Sequence, residues 1–156
     1  MTRQPLHLLT LLIATLLTLG CSIQRPFSNV RSVEVTDRSP QGIRMAITVD
    51  LENPNAVPLP LTRTNYRVYL EGAGVFESSE LGDATLPAGG SQTVSFSAAF
   101  PLTDSIPIDG KRYAVFGEVY YRTPGELREI LDQYRFPQPS SSFIARGVIQ
   151  PPSTEQ

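Results

Sequence analysis

Ile43, Met45, Ile47, Val49 and Leu51 alternate with Arg44, Ala46, Thr48, Asp50 and Glu52. A period of two sends successive side chains to opposite faces, so this run predicts a β-strand with one buried face. Just upstream, Val33 and Val35 alternate with Ser32, Glu34 and Thr36, and the turn formers of residues 37–42, DRSPQG, join the two runs into an expected hairpin. The pattern returns where Tyr66, Val68 and Leu70 alternate with Asn65, Arg67 and Tyr69, and again where Val94, Phe96, Ala98 and Phe100 alternate with Thr93, Ser95, Ser97 and Ala99. Residues 75–79 predict a short strand, and 85–90, TLPAGG, a loop. Residues 112–122 are apolar on both faces, as a central strand with a covered outer face would be, and 142–150 predict a last strand.

Two segments break the alternation. The first is ENPNAVPLPL, residues 52–61. Pro54 lacks an amide hydrogen and fixes φ, so the preceding strand should end there. Asn53 and Asn55 can satisfy loop backbone groups through their side chains, as Asx turns do. Pro58 and Pro60 leave Leu59 and Leu61 two apart in an extended segment that can press on a core, so the stretch reads as a rigid crossover between two sheets. The second break is TPGE at 123–126, a capping box with Pro124 at the first helical position. Leu127, Ile130, Leu131 and Tyr134 then fall on one helical stripe, with Glu126, Arg128, Glu129 and Asp132 pointing away. A helix over 124–134, ended by Pro137 and Pro139, is expected either to cover an open sheet face or to offer a ridge to a partner.

About seven short strands, one helix and no regular strand–helix alternation predict an all-β sandwich. The 14 prolines and 11 glycines fall mostly between the runs and punctuate them.

The N-terminus belongs to no such element. Arg3 precedes an apolar run, residues 6–19, whose one imidazole is His7. That is the layout of a secretory signal, and it is shorter than the about 20 residues needed to span a bilayer. Leu17, Thr18, Leu19, Gly20 and Cys21 resemble the lipobox of bacterial lipoproteins, with Thr18 standing where leucine is favoured. The resemblance implies cleavage between Gly20 and Cys21 and acylation of Cys21, with Ser22 permitting transfer to the outer membrane, at its periplasmic face, if the cell is Gram-negative. Two or more acyl chains are enough for stable anchoring, at roughly 0.8 kcal/mol per buried methylene. The alternative is an ordinary cleavage site at which Cys21 has no special role. The expected organisation is a signal at 1–20, a short tether at 21–28, a sandwich domain at 29–150 and a disordered tail at 151–156.

Charge and residue inventory then narrow the chemistry. The formal charge is −2 for the whole chain and one unit more negative without Arg3, with no basic run, so nothing points to nucleic acid. His7 is the one histidine and Cys21 the one cysteine. A processed, acylated chain therefore has neither imidazole nor free thiol, which excludes the usual Ser/His/Asp and Cys/His mechanisms and zinc sites built on those ligands. Carboxylates remain. Glu77, Glu80 and Asp83 form one group and Asp104 with Asp109 another, and paired carboxylates about 5–10 Å apart can hydrolyse glycosides or, as loop acids, hold calcium weakly. Their spacing matches no catalytic motif, so no catalytic, metal or cofactor residue is assigned, and no small-molecule substrate is evident.

The run from Val49 to Gly72, VDLENPNAVPLPLTRTNYRVYLEG, resembles the water-stress and hypersensitive-response (WHy) domain of late-embryogenesis-abundant type 2, LEA14-like, proteins. The matching features are Asn53, Pro54 and Asn55, a proline-flanked apolar pair, and a strand centred on Tyr66. LPAGGSQTV at 86–94 and YAVFGEV at 113–119, with its central Gly117, extend the likeness over about 29–150. The helix at 124–134 is a departure. The resemblance implies a Greek-key sandwich of the immunoglobulin and fibronectin type III kind, no catalytic residues, and protection in desiccation or other envelope stress. A competing expectation is a membrane-tethered binding module for an envelope or periplasmic protein, with Tyr69, Tyr120 and Tyr121 as candidate exposed aromatics, unless the helix or neighbouring strands cover them.

Overall fold

The computed structural model describes residues 23–101, 107–134 and 136–151. The expected signal, Gly20, Cys21, Asp104 and all but the first residue of the expected tail lie outside them. Among the described residues, eight strands and one helix follow in the order β1 (Phe27–Ser39), β2 (Gly42–Glu52), β3 (Leu59–Leu70), β4 (Gly74–Leu81), β5 (Thr85–Leu86), β6 (Ser91–Pro101), β7 (Arg112–Tyr121), α1 (Glu126–Gln133) and β8 (Ser140–Val148). β1, β2 and β6 form one antiparallel sheet. The other runs β4-β3-β7-β8, with β5 paired to the start of β3. The chain changes sheet between β2 and β3, again between β5 and β6, and again between β6 and β7, giving the expected Greek-key sandwich.

The alternation read from the sequence becomes the core. Ile43, Met45, Ile47, Val49 and Leu51 of β2 face Val68 and Leu70 of β3, Phe96, Ala98 and Phe100 of β6, and Val115 and Val119 of β7 within one buried cluster. The hairpin β1–β2 closes more tightly than expected, pairing Ser39 with Gly42 across Pro40 and Gln41, and β1 absorbs two bulges along its length.

Four expectations change. β3 begins at Leu59, well before Tyr66, despite Pro60; the proline pairs only with Thr85 of the short β5, and its carbonyl accepts from the Arg122 amide. Residues 85–90 are therefore not all loop. α1 starts at Glu126, because Gly125 has φ 114°, outside the helical region, so Pro124 is not its first residue. β1 starts at Phe27, inside the stretch expected to be a tether.

Candidate functional site

Asn53 is fully buried where the two sheets exchange the chain. Its Nδ2 donates to the carbonyls of Val57 at 2.8 Å and Pro87 at 3.0 Å, with Leu86 further off at 3.4 Å. Its Oδ1 accepts from the Asn55 amide at 3.0 Å, which is the expected Asx turn, and from Asn55 Nδ2 at 2.8 Å. Asn55 in turn exchanges two bonds with the backbone of Gln24: its Nδ2 donates to the Gln24 carbonyl and its Oδ1 accepts the Gln24 amide. The Asn53 amide and the Asn55 carbonyl also bond to the backbone of Gly90 and Gly89. Pro54 holds the two asparagines apart in the one geometry that reaches all of these partners. The motif is thus a clamp joining the N-terminal arm, the crossover and the 86–90 loop. The side-chain polar atoms of both asparagines are all used within the fold.

Tyr66 and Gly117 have equally structural roles. Tyr66 is buried, and its hydroxyl lies 2.7 Å from both Glu80 Oε1 and the carbonyl of Ser97 in the opposite sheet. One hydroxyl proton serves only one acceptor at a time. Burial, with the neighbouring Glu80 carboxylate second, pushes the phenol up to about 12. Gly117 pairs across β7–β8 with Phe143, whose ring lies over the glycine so closely that a Cβ would fall inside it. That ring stacks on Phe96 from the other sheet, 6.1 Å between centroids.

The described carboxylates do not come together, and Asp104 lies outside the described residues. Glu77 points outward on β4 and pairs with Arg67 at 2.6 Å, while Glu80 points inward to Tyr66. Asp83 is exposed in the loop before β5, and Asp109 pairs with Arg38 at the far end of the sandwich. No group of three or more His, Cys, Asp or Glu placed to hold a metal occurs among the described residues.

Two surfaces are left. One is the outer face of the larger sheet, where an open groove of about 1120 Å³ is lined by Arg63, Asn65, Arg67, Phe116, Glu118 and Ile144 among others. Register puts Glu77, Arg67, Phe116 and Ile144 in one cross-strand row and Val75, Tyr69, Ala114 and Arg146 in the next. Phe116 and Tyr69 are exposed, so the outer face of β7 is not covered as expected. Of the other tyrosines, Tyr121 is buried, and Tyr120 is half-buried under the Arg63 guanidinium, 4.7 Å from its ring centre.

The other surface is around α1. Ile130 and Tyr134, expected to pack inward, are 51% and 71% exposed, while Arg128, expected to point away, is buried. The side chains of Leu127 and Leu131 lie outside the described part of the helix. Part of the expected apolar stripe therefore faces solvent, and Arg128 from its expected polar side is buried. Among the described residues, no helix is long and apolar enough to cross a membrane.

The described residues thus form a two-sheet Greek-key domain locked by a buried Asn-Pro-Asn clamp. Residues 48–136 match the family model of late embryogenesis abundant protein, LEA_2, and the chain belongs to that family. It is similar to the solution structure of an Arabidopsis thaliana protein, with a TM-score of 0.63 and 12% identity over 88% of this chain and 89% of that one. A candidate late embryogenesis abundant protein, also solved in solution, aligns with a TM-score of 0.60 and 14% identity over 95% of this chain and 83% of the other. At such identities the likeness is one of fold. No curated protein matches the sequence significantly.

Proposed function

We propose that this chain is a non-catalytic LEA type 2 lipoprotein, anchored to a bacterial cell envelope through acylated Cys21 and protective in desiccation or other envelope stress. The observation that carries the anchoring is the lipobox-like run from Leu17 to Cys21. The protective role rests on family membership, and the absence of catalysis on the scattering of the described carboxylates described above. In a Gram-negative cell the expected location is the periplasmic face of the outer membrane.

The test is to express the full chain and a Cys21→Ser variant in a bacterial host, fractionate the envelope and weigh the mature protein. A chain starting at Cys21 with a diacylglycerol-scale mass gain, lost in the variant, supports the anchor. An unmodified product cut elsewhere overturns it. Survival of drying by cells with and without the wild-type protein tests the protective role, and equal survival refutes it.

A second reading, an envelope interaction module, is favoured by the uncovered Tyr69, Phe116 and Ile144 on the larger sheet. Copurification of an envelope protein at fixed stoichiometry, lost on Phe116→Asp, would support it over protection.

A further inference from the structure

Strand register sorts the loops between two ends of the sandwich. Phe27 pairs with Glu52, Glu52 with Ser91, Leu59 with Leu86, and Tyr120 with Ser140. The two sheets are tied at this end, where the Ser28 hydroxyl donates to the Ser142 carbonyl and the Ser141 hydroxyl to the Pro26 carbonyl. The N-terminal arm, the Asn-Pro-Asn crossover, the 82–90 loop and the whole β7–α1–β8 connection therefore share one end. The 40–41 turn, the 71–73 turn and Ile149 share the other.

That first end is also where large apolar side chains stand in solvent. Phe27 at the start of β1, Ile130 and Tyr134 on α1, and Phe136 beyond it are all more than half exposed, and Leu81 at the end of β4 is 86% exposed. Several large apolar side chains exposed at one end of a domain mark a surface suited to an apolar neighbour. The arm supplies the reason for an occupant. Gln24 is fixed to Asn55 by two hydrogen bonds, so the chain leaves the domain at a defined place on this end. From Ile23 to Cys21 is two residues, a span of at most about 7 Å. An acyl group on Cys21 cannot enter a bilayer without bringing this end of the sandwich to the headgroups.

We infer that the end of the sandwich exposing Phe27, Leu81, Ile130, Tyr134 and Phe136 is a bilayer-facing surface that lies in the lipid interface and holds the sandwich end-on to the membrane. The inference rests on the anchored reading of Cys21. An amphipathic helix whose apolar residues enter the headgroup and acyl boundary, with a tyrosine at the polar margin, is a known interfacial arrangement. Exposed Arg25 and Arg122 at this end are set against exposed Glu52, Asp83 and Glu129, so these charges have no strong net sign and the contact should depend little on salt.

Because acylation blocks Cys21, an introduced cysteine is the sole free thiol. Full-length Tyr134→Cys and Gln41→Cys chains, purified from a bacterial host and checked by intact mass for the acyl group, would be labelled with an environment-sensitive fluorophore. They would then be reconstituted into phosphatidylethanolamine–phosphatidylglycerol vesicles carrying a lipid-borne quencher. The expected result is several-fold stronger quenching at 134 than at 41, persisting in high salt and reduced by adding Ile130→Ser with Phe136→Ser. Acylated chains with equal quenching at the two sites would overturn the end-on surface while leaving the anchor standing. Chains without the acyl group would overturn the anchor and this inference together. Because the vesicles hold only this chain and lipid, a quencher carried by lipid reports the bilayer and not a protein partner.

Discussion

Replacing Asn53 by alanine should be among the most damaging single changes in the domain. The substitution removes one side chain but strands several partners. The Asn55 amide and Asn55 Nδ2 are buried donors that both end on Asn53 Oδ1. The carbonyls of Val57 and Pro87 are only part-buried, so water can reach them when Nδ2 is gone. Two buried donors left unpaired cost about 1–3 kcal/mol each, and with a smaller loss at the carbonyls the total comes to about 3–5 kcal/mol. Against a net stability of about 5–15 kcal/mol for a domain, that is a large share. Urea unfolding is the assay, followed by far-ultraviolet circular dichroism because the chain has no tryptophan. With a slope of about 2 kcal/mol per molar urea, the midpoint should fall by about 1.5–2.5 M at unchanged slope. Asn53→Asp sharpens the test. It keeps an acceptor for Asn55 but turns a carboxylate toward carbonyl oxygens, which raises its pKa above the unfolded value, so its penalty should be full at neutral pH and narrow as the pH falls toward 4. A loss below about 1 kcal/mol for Asn53→Ala, within the range of an ordinary surface change, would refute the clamp.

Three further outcomes follow from the same geometry. Gly117→Ala should cost about 1–3 kcal/mol by forcing the Phe143 ring off Phe96, and a chain that also carries Phe143→Leu should recover part of it in thermal unfolding. Tyr66 should titrate near 12 in an ultraviolet pH titration. Its folded pKa lies above the unfolded value of about 10, so its stabilisation is complete below pH 10 and lost as the pH rises towards 12; Tyr66→Phe should reduce this dependence, with Tyr113, Tyr120 and Tyr121, whose phenols are also raised, supplying the rest. Arg67→Ala should change stability by less than about 1 kcal/mol in the same urea assay, because the ion pair it makes with Glu77 is solvent-exposed on both sides.

Local order was readable from the sequence and long-range pairing was not. The alternation of β2 shows one face, and that face is the centre of the core. The crossover at Asn53–Asn55 was visible because proline and asparagine act on their own neighbours. Asn55's partner Gln24, however, lies 31 residues away, in a stretch with no pattern of its own that reads as a tether. Gly117 reads as a feature of its strand, and only the β7–β8 register reveals the ring that requires it. The early start of β3 was hidden by Pro60, whose missing amide is tolerated because it sits beside a two-residue strand. The helix stripe misled for another reason. Periodicity finds an apolar face but does not say which way a short helix on a long connection will turn it.

The strands also set a length. β1 has 13 residues and β2 has 11; at about 3.3 Å per residue they extend roughly 35–45 Å. The arm enters at one end of that length and Ile149 leaves at the other, bonded to Gly110 and Lys111. Anything joined after Ile149 is therefore presented about 35–45 Å from whatever holds the arm.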